Sequence, residues 1–252
     1  MLFRSVSAAR NAGLKKVQTP LVLFLDDDVI PSTQIVSEHV LFHSKNQDNN
    51  YVLLGYVTWH PEMRATPFMR WYGEYGALFG YSHLKERHQV NFKYLYTCNV
   101  SFKTSFLLAH GGFNETLTVL EDHELSYRLT LDGMKMFFRR TALGYHYQSF
   151  TFEEACQRLK HYRSGLNAFL STEAGQQMAK KNGRIWFRLA KAAVRTVLPL
   201  LDRFRFIVDR GVNLPNPVYR LYYWSYATSA FWESVSPSPQ AEELQNEQKV
   251  IL

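Results

Sequence analysis

The strongest constraint on the fold is an alternation of strand-like and helix-like segments over residues 1–170. Short apolar runs predict strands, and segments whose apolar residues lie three and four apart predict helices. This alternation indicates an α/β domain with a mixed sheet flanked by helices. The predicted helices cover residues 5–16, 32–44, 103–109, 121–131 and 151–170, and the predicted strands cover residues 21–25, 51–59, 94–102 and 134–139.

Outside these segments the chain changes character. Residues 61–90 are rich in aromatic, glycine and charged residues, which predicts a long irregular insertion with one helix. We expect a helical extension over residues 171–237 and a polar tail over residues 238–252. The sequence therefore predicts an α/β domain at residues 1–170, followed by a helical region and a tail.

Composition and charge exclude several classes of protein. The chain of 252 residues is 46% hydrophobic and 20% charged, as in globular proteins. Its two cysteines supply no disulfide framework. The residues between Lys180 and Arg210 carry nine basic and two acidic side chains, which account for the whole net charge of +7. Because the excess is local, we expect no nucleic-acid partner.

Three consecutive aspartates follow the predicted strand at residues 21–25, in the stretch LVLFLDDDVIP. Ligands of open α/β sheets bind at the carboxyl ends of strands. On an extended backbone Asp26 and Asp28 would share one face, with Asp27 on the other. Mg²⁺ or Mn²⁺ would join two such carboxylates and take its remaining ligands from a substrate diphosphate. The alternative is a solvated acidic turn before a helix.

A second acidic pair opens the predicted helix at residues 121–131. Asp122 lies three and seven residues before Leu125 and Leu129, so it shares their inward face, and Glu121 is expected to point elsewhere. An inward carboxylate at this place can accept a proton from a hydroxyl. Alternatively, Asp122 only caps the helix.

Taken together, four motifs resemble the family 2 glycosyltransferases of GT-A fold. The stretch SAARNAG resembles the family's ARN-x-G helix, and FLDDDVIP resembles its metal-binding D-x-D motif. NVSFKTSFLLAHGGFNE resembles the acceptor-side segment, and LEDHELSYRLTLDG resembles the helix that carries the catalytic base. The four motifs occur in the family's order and cover about residues 5–165.

The resemblance implies transfer of a sugar from a nucleotide-diphosphate sugar, with inversion, to a glycan or a lipid-linked acceptor. Asp26 and Asp28, with Asp27 beside them, match the residues that hold Mg²⁺ or Mn²⁺ against the donor diphosphate. Asp122 matches the general base, and Glu121 matches its partner.

Four further residues are implied, two of them with alternatives. Arg10 matches the family's arginine near the diphosphate, and a supporting structural role is the other interpretation. His146 matches a further metal ligand of some members, against a packed core histidine. Arg158 and Arg163 would reach the diphosphate. No tryptophan matches the Q-x-x-R-W motif of the processive synthases, so we do not predict a processive polymerase.

The family's opening strands, which hold the nucleotide base, have no counterpart before SAARNAG. The resemblance therefore implies an N-terminally truncated domain with an exposed sheet edge. The rival hypothesis is a non-catalytic remnant that binds only a metal or a membrane. The absence of an apolar leader predicts a cytoplasmic protein. Arg184, Arg188, Lys191 and Arg195 form one basic stripe, which predicts either contact with an anionic membrane surface or a helix packed on the domain.

Overall fold

The computed structural model of the chain describes residues 4–76, 78–181 and 206–235. The predicted basic stripe at Arg184–Arg195 and the predicted tail at residues 238–252 lie outside these residues. The helices are α1 (Val6–Leu14), α2 (Ile35–Lys45), α3 (Pro67–Glu74), α4 (Thr104–Ala109), α5 (Glu121–Leu131), α6 (Phe152–Leu170), α7 (Glu173–Lys181), α8 (Phe206–Asp209) and α9 (Asn216–Val235). The strands are β1 (Leu21–Leu25), β2 (Val29–Pro31), β3 (Tyr51–Trp59), β4 (Asn99–Lys103) and β5 (Lys135–His146).

The five strands form one mixed sheet, which confirms the predicted α/β class. Their spatial order is β1-β4-β3-β5-β2, with β3 and β5 parallel and the other neighbours antiparallel. The carboxyl ends of β1, β3 and β5 therefore lie at one edge of the sheet, together with the start of β4. The strand at residues 21–25 was predicted as buried. It lies at one side of the sheet instead, and Val22 is its only fully buried residue.

Two predicted strands differ in length from those observed. β4 begins at Asn99 because residues 92–94 form a 3₁₀ turn and the Tyr96 hydroxyl donates to the Phe79 carbonyl. β5 continues to His146 because its pairing with β3 resumes after a register shift between Gly55 and Tyr56. The extended β5 brings His146 to the same sheet edge as Asp28.

Helices cover both faces of the sheet. On one face, Phe42 of α2 packs with Leu53 and Ala142. On the other face, Val52 and Leu54 belong to the main core, as expected for alternate residues of a strand. That core also contains residues of α3, α5, α6 and α9. The last helix therefore packs on the α/β body, where Phe68 and Trp71 of α3 contact the ring of Tyr219.

Asn99 repairs the hydrogen bonding at the register shift between β3 and β5. Its side-chain Nδ2 donates to the carbonyls of Tyr56 at 3.2 Å and Ala142 at 2.8 Å. Gly55 has no side chain at the place where a Cβ would meet the Asn99 amide. The buried Asn99 amide therefore supplies the hydrogen bonds that the shifted strands cannot make to each other. Residue 55 of β3 must be glycine to leave room for this amide.

A buried polar network links this amide to α2. With Nδ2 of Asn99 donating, its Oδ1 accepts from His39 Nε2 at 2.9 Å. His39 Nδ1 then accepts from the Ser101 hydroxyl at 2.7 Å, and that hydroxyl accepts from His43 Nε2 at 2.9 Å. These tautomers follow from the donors and acceptors that the neighbours supply. The network requires a neutral His39, because its Nδ1 accepts a hydrogen bond, and the buried Nδ1 of His43 has no acceptor for a second proton.

Burial lowers the pKa of both His39 and His43 to about 4. The unfolded chain protonates them below about pH 6.5, so the unfolded state binds more protons as the pH falls. The contribution of these two neutral histidines to the free energy of unfolding is present above pH 6.5 and is lost as the pH falls toward 4. We expect the free energy of unfolding to drop by roughly 2 kcal/mol between pH 7 and pH 5.5 in urea denaturation.

His43→Gln should flatten this pH dependence, because a neutral side chain replaces one of the two titrating groups. His83→Gln is the matched control, since His83 is exposed. An equally steep decline in His43→Gln would contradict the assignment.

The described part of the chain contains no helix long and apolar enough to cross a membrane. Its two cysteines, Cys98 and Cys156, are buried and are not joined in a disulfide.

Candidate active site

A cavity of about 770 Å³ opens at the sheet edge where β1 ends and β4 begins. Its size falls within the range of small-molecule sites. Segments that lie far apart in the sequence contribute its polar lining. These side chains include Arg10 of α1, Asp26 after β1, Tyr96 and Thr97 before β4, Glu121, Asp122 and His123 of α5, Gln157, Arg158, His161 and Tyr162 of α6, and Tyr223 and Trp224 of α9.

Arg10 connects the aspartate segment to the start of α5. Its Nη1 donates to Glu121 Oε1 at 2.7 Å, and its Nη2 lies 3.6 Å from Asp26 Oδ1. The guanidinium also lies 5.5 Å from the centre of the Phe113 ring. One cation therefore sits between two carboxylates that the sequence places 95 residues apart.

The neighbouring Asn11 holds α1 in this place. It is buried, its Nδ2 donates to the Phe113 carbonyl and to Glu115 Oε1, and its Oδ1 accepts from the Phe113 backbone N–H. Gly111 and Gly112 turn the chain here with positive φ, which glycine adopts without steric cost. In α1, Arg10 therefore supplies a positive charge to the cavity, and Asn11 holds the helix against Phe113 and Glu115.

The helix α5 starts from a strained residue. Leu120 has a φ of 58° and a left-handed conformation. This conformation costs a non-glycine residue on the order of 1–3 kcal/mol. Glu121 and Asp122 follow, and both line the cavity. The prediction that Glu121 points elsewhere is wrong. The helix presents its N-terminal end to the cavity, and not only one side, so both carboxylates reach the lining.

The two carboxylates of α5 have different electrostatic surroundings. Burial and the neighbouring Asp122 raise the pKa of Glu121 against the opposing effect of Arg10. Burial also acts to raise the pKa of Asp122, but His123 outweighs it and holds that pKa below its usual range. Asp122 Oδ1 accepts from the His123 backbone N–H at 2.8 Å and from His123 Nδ1 at 2.9 Å. Asp122 is therefore ionised at neutral pH and available as a proton acceptor.

The three aspartates lie in a turn, and the backbone is not extended as the sequence analysis assumed. The Val29 backbone N–H donates to the Asp26 carbonyl, which closes the turn. Asp26 lines the cavity, Asp27 is exposed, and Asp28 lies beside His146. Burial, with the nearby Asp28 and Asp122 carboxylates, raises the pKa of Asp26 against the effect of Arg10.

The predicted metal ligands are only partly brought together. Asp28 Oδ2 lies 3.6 Å from Nε2 of the buried His146. Asp28 Oδ1 and His146 Nδ1 are buried and have no hydrogen-bond partner. Within the described residues, no group of three His, Cys, Asp or Glu side chains is arranged to hold a metal ion. Of the predicted ligands Asp26, Asp28 and His146, Asp28 and His146 therefore form a pair. Asp26 is the third, and its carboxylate lies beside Arg10 instead.

Helix α6 brings Arg158 to the cavity, whereas Arg163 is exposed and does not belong to the lining. Five residues rotate a helix by about 140° beyond a full turn, so the two arginines cannot share a narrow face. The Arg158 guanidinium lies 6.0 Å from the centre of the Phe150 ring and 5.9 Å from that of Tyr162. Arg158, and not Arg163, is the α6 cation placed to meet an anionic ligand.

The sequence analysis missed the contribution of α9. Tyr223 is buried and Trp224 is 53% exposed, and both line the cavity. The tyrosine-rich stretch YYWSY at residues 222–226 was the available signal. Its segment was interpreted as an extension separate from the α/β domain, so its aromatic side chains were not connected with the site.

The proteins to which the chain is similar in sequence are glycosyltransferases. Validoxylamine A glucosyltransferase of Streptomyces hygroscopicus subsp. jinggangensis (strain 5008) is 30% identical over an alignment 162 residues long, which covers 55% of this chain and 38% of that protein. The corresponding enzyme of Streptomyces hygroscopicus subsp. limoneus is also 30% identical over 162 residues, 36% of its length. The chain thus spans less than two fifths of these relatives. No protein-family model matches it.

Solved structures with which the chain was aligned include a mannosyltransferase and S. aureus TarS. The mannosyltransferase PcManGT from Pyrobaculum calidifontis, in complex with GDP-Man and Mn²⁺, has a TM-score of 0.43 and 14% identity, over 98% of this chain and 60% of that one. S. aureus TarS 1-349 in complex with UDP-GlcNAc has a TM-score of 0.40 and 13% identity, over 90% of this chain and 70% of that one.

Proposed function

We propose that this chain is the catalytic part of a metal-dependent, inverting glycosyltransferase of GT-A fold. It would move a sugar from a nucleotide-diphosphate sugar to a hydroxyl of a glycan or of a lipid-linked glycan. The observation that carries the proposal is one cavity in which Arg10 joins Asp26 to Glu121, with Asp122 alongside. The sequence similarity to glucosyltransferases supports the same reaction class.

In the proposed reaction, Asp122 is the general base. The acceptor hydroxyl attacks the sugar C1 and gives its proton to the Asp122 carboxylate, while the bond from C1 to the donor diphosphate oxygen breaks. Entry of the acceptor on the face opposite the leaving group gives inversion. Glu121 does not compete for this role because its carboxylate is bound by Arg10 at 2.7 Å. Arg10 and Arg158, which line the same cavity, would neutralise the leaving nucleoside diphosphate.

A divalent metal fits the pair of Asp28 and His146. Their facing atoms lie 3.6 Å apart, and each residue has a second buried polar atom without a partner. Carboxylate oxygen and imidazole nitrogen both suit Mn²⁺, and Mg²⁺ accepts the carboxylate. When bound, such an ion supplies a Lewis acid that stabilises charge on the leaving diphosphate. The phenyl rings of Phe79 and Phe150, which line the cavity, lie beside the His146 ring at centroid distances of 6.2 and 5.9 Å.

Calorimetric titration of UDP into the protein tests the proposal. We expect binding in the presence of Mn²⁺ and none in EDTA. Asp28→Ala should weaken UDP binding in Mn²⁺ at least tenfold, since it removes a charged ligand. Asp48→Ala is the matched control, because Asp48 is an exposed acid away from the cavity.

Two results would count against this function. UDP binding of equal strength in Mn²⁺ and in EDTA would reject the metal. No binding of UDP, GDP-mannose or UDP-glucose under either condition would favour the rival hypothesis of a non-catalytic module.

A further inference from the structure

Asp122 and His123 are consecutive residues of α5 that form a side-chain pair. Consecutive residues on a helix point about 100° apart and do not normally face each other. Here the His123 ring nevertheless turns back, so that Nδ1 lies 2.9 Å from Asp122 Oδ1. Both side chains line the cavity, with 19% exposure each. The contact therefore depends on specific side-chain conformations at this site.

The hydrogen bonds of the pair converge on one carboxylate oxygen. The His123 backbone N–H and Nδ1 both contact Oδ1, at 2.8 and 2.9 Å. Among the described residues none donates a hydrogen bond to Oδ2. Because Oδ1 is occupied by two donors, the carboxylate cannot rotate freely, and Oδ2 stays directed away from the His123 ring.

We propose that His123 is the positioning residue for the base: it fixes Asp122 through Oδ1 and keeps Oδ2 as the oxygen that receives the acceptor proton. This assignment rests on the proposed function in one respect, namely that the proton comes from an acceptor hydroxyl. In the step itself, the proton passes from the acceptor hydroxyl to Oδ2. The electron pair of the O–H bond forms the new bond to C1, and the nucleoside diphosphate leaves with the electrons of the old one.

The charges around the pair favour a proton on Nδ1. Burial acts to lower the pKa of His123, but the carboxylates of Asp122 and Glu121 raise it overall, against the effect of Lys93 on the 3₁₀ turn at residues 92–94. Arg10 of α1 lowers the pKa of Asp122 further. The neighbouring Tyr96 hydroxyl stays neutral, because burial and Asp122 raise its pKa. Asp122 is thus the base and His123 the donor that orients it.

The test measures the Asp122 carboxyl directly, by ¹³C NMR titration of the protein without ligand. We expect the titration midpoint of Asp122 to rise by about one pH unit in His123→Leu, a tenfold change in proton affinity. His123→Gln keeps an N–H donor without the charge and should give a smaller rise. His88→Leu is the control, since His88 is exposed.

A reciprocal variant covers the case in which His123→Leu fails to fold. In Asp122→Asn the titration midpoint of the His123 imidazole, followed by ¹⁵N NMR, should fall. An unchanged Asp122 midpoint in both His123 variants, or an unchanged His123 midpoint in Asp122→Asn, would overturn the proposal.

Turnover of UDP-glucose with Mn²⁺ separates this inference from the proposed function. We expect His123→Leu to lower kcat about tenfold and to shift the acid limb of the pH profile upward, with KM for the donor unchanged. A shift of the NMR midpoint in a protein that turns over no donor would reject the function and retain the pairing. Loss of kcat without any shift of the midpoint or of the pH profile would indicate a structural role only and would overturn the positioning role.

Discussion

Asp122→Asn is expected to lower the rate of sugar transfer by about a hundredfold to ten-thousandfold, the usual contribution of a general base. Asparagine has nearly the same shape as aspartate but cannot accept the acceptor proton. Asp122 faces the cavity, and the neighbouring Glu121 carboxylate is bound by Arg10. No second carboxylate of α5 at the cavity can therefore replace Asp122 as the base. The rate is measured by release of nucleoside diphosphate at saturating donor.

Binding of UDP in Mn²⁺ should be largely unchanged in Asp122→Asn, because the proposed metal pair is Asp28 and His146. Asp132→Asn is the matched control, since Asp132 lies at the other end of the same helix with 55% of its side chain exposed. Equal loss of UDP binding and of transfer in Asp122→Asn would show that Asp122 serves the donor, and the base assignment would fail.

Local patterns predicted the elements that carry the site. The strands at residues 21–25 and 51–59 and the helix at residues 121–131 begin and end as predicted. Such boundaries have local causes. Gly133, with a φ of 80°, follows α5 in the left-handed conformation that commonly ends a helix. Because Asp26 and Asp122 directly follow or open such elements, their placement at one sheet edge was predictable.

The parts that were wrong depend on contacts between distant residues. Glu121 turns to the cavity because Arg10, from another helix, binds it. Arg158 rather than Arg163 faces the cavity because of the rotation of α6 about its own axis, which the packing of the helix sets. Tyr223 and Trp224 reach the site only through packing of α9 on α3 and α6. Periodicity within one segment contains none of this information.

Asn99 illustrates the same limit in the fold. In the sequence it belongs to an N-x-S motif and to the stretch resembling a family motif, and neither reveals that its side chain fills a register shift. The structure shows it buried, with its amide bonded to one carbonyl of β3, to one carbonyl of β5 and to a histidine of α2. One residue therefore joins β3, β5 and α2.

Asn99→Ala is accordingly expected to reduce the free energy of unfolding by about 4 kcal/mol. The change leaves the carbonyls of Tyr56 and Ala142 and the His39 ring without their hydrogen-bond partner in a site that water does not reach. Urea denaturation at pH 7.5 measures the loss with the histidines neutral. The control is Asn49→Ala, at an exposed position. A surface substitution of this kind should stay within about 0.5 kcal/mol of the unsubstituted protein. If Asn99→Ala were as stable as Asn49→Ala, the register shift would be held by the backbone alone. Glycine would then not be needed at residue 55, since it is the Asn99 amide that leaves no room for a Cβ there.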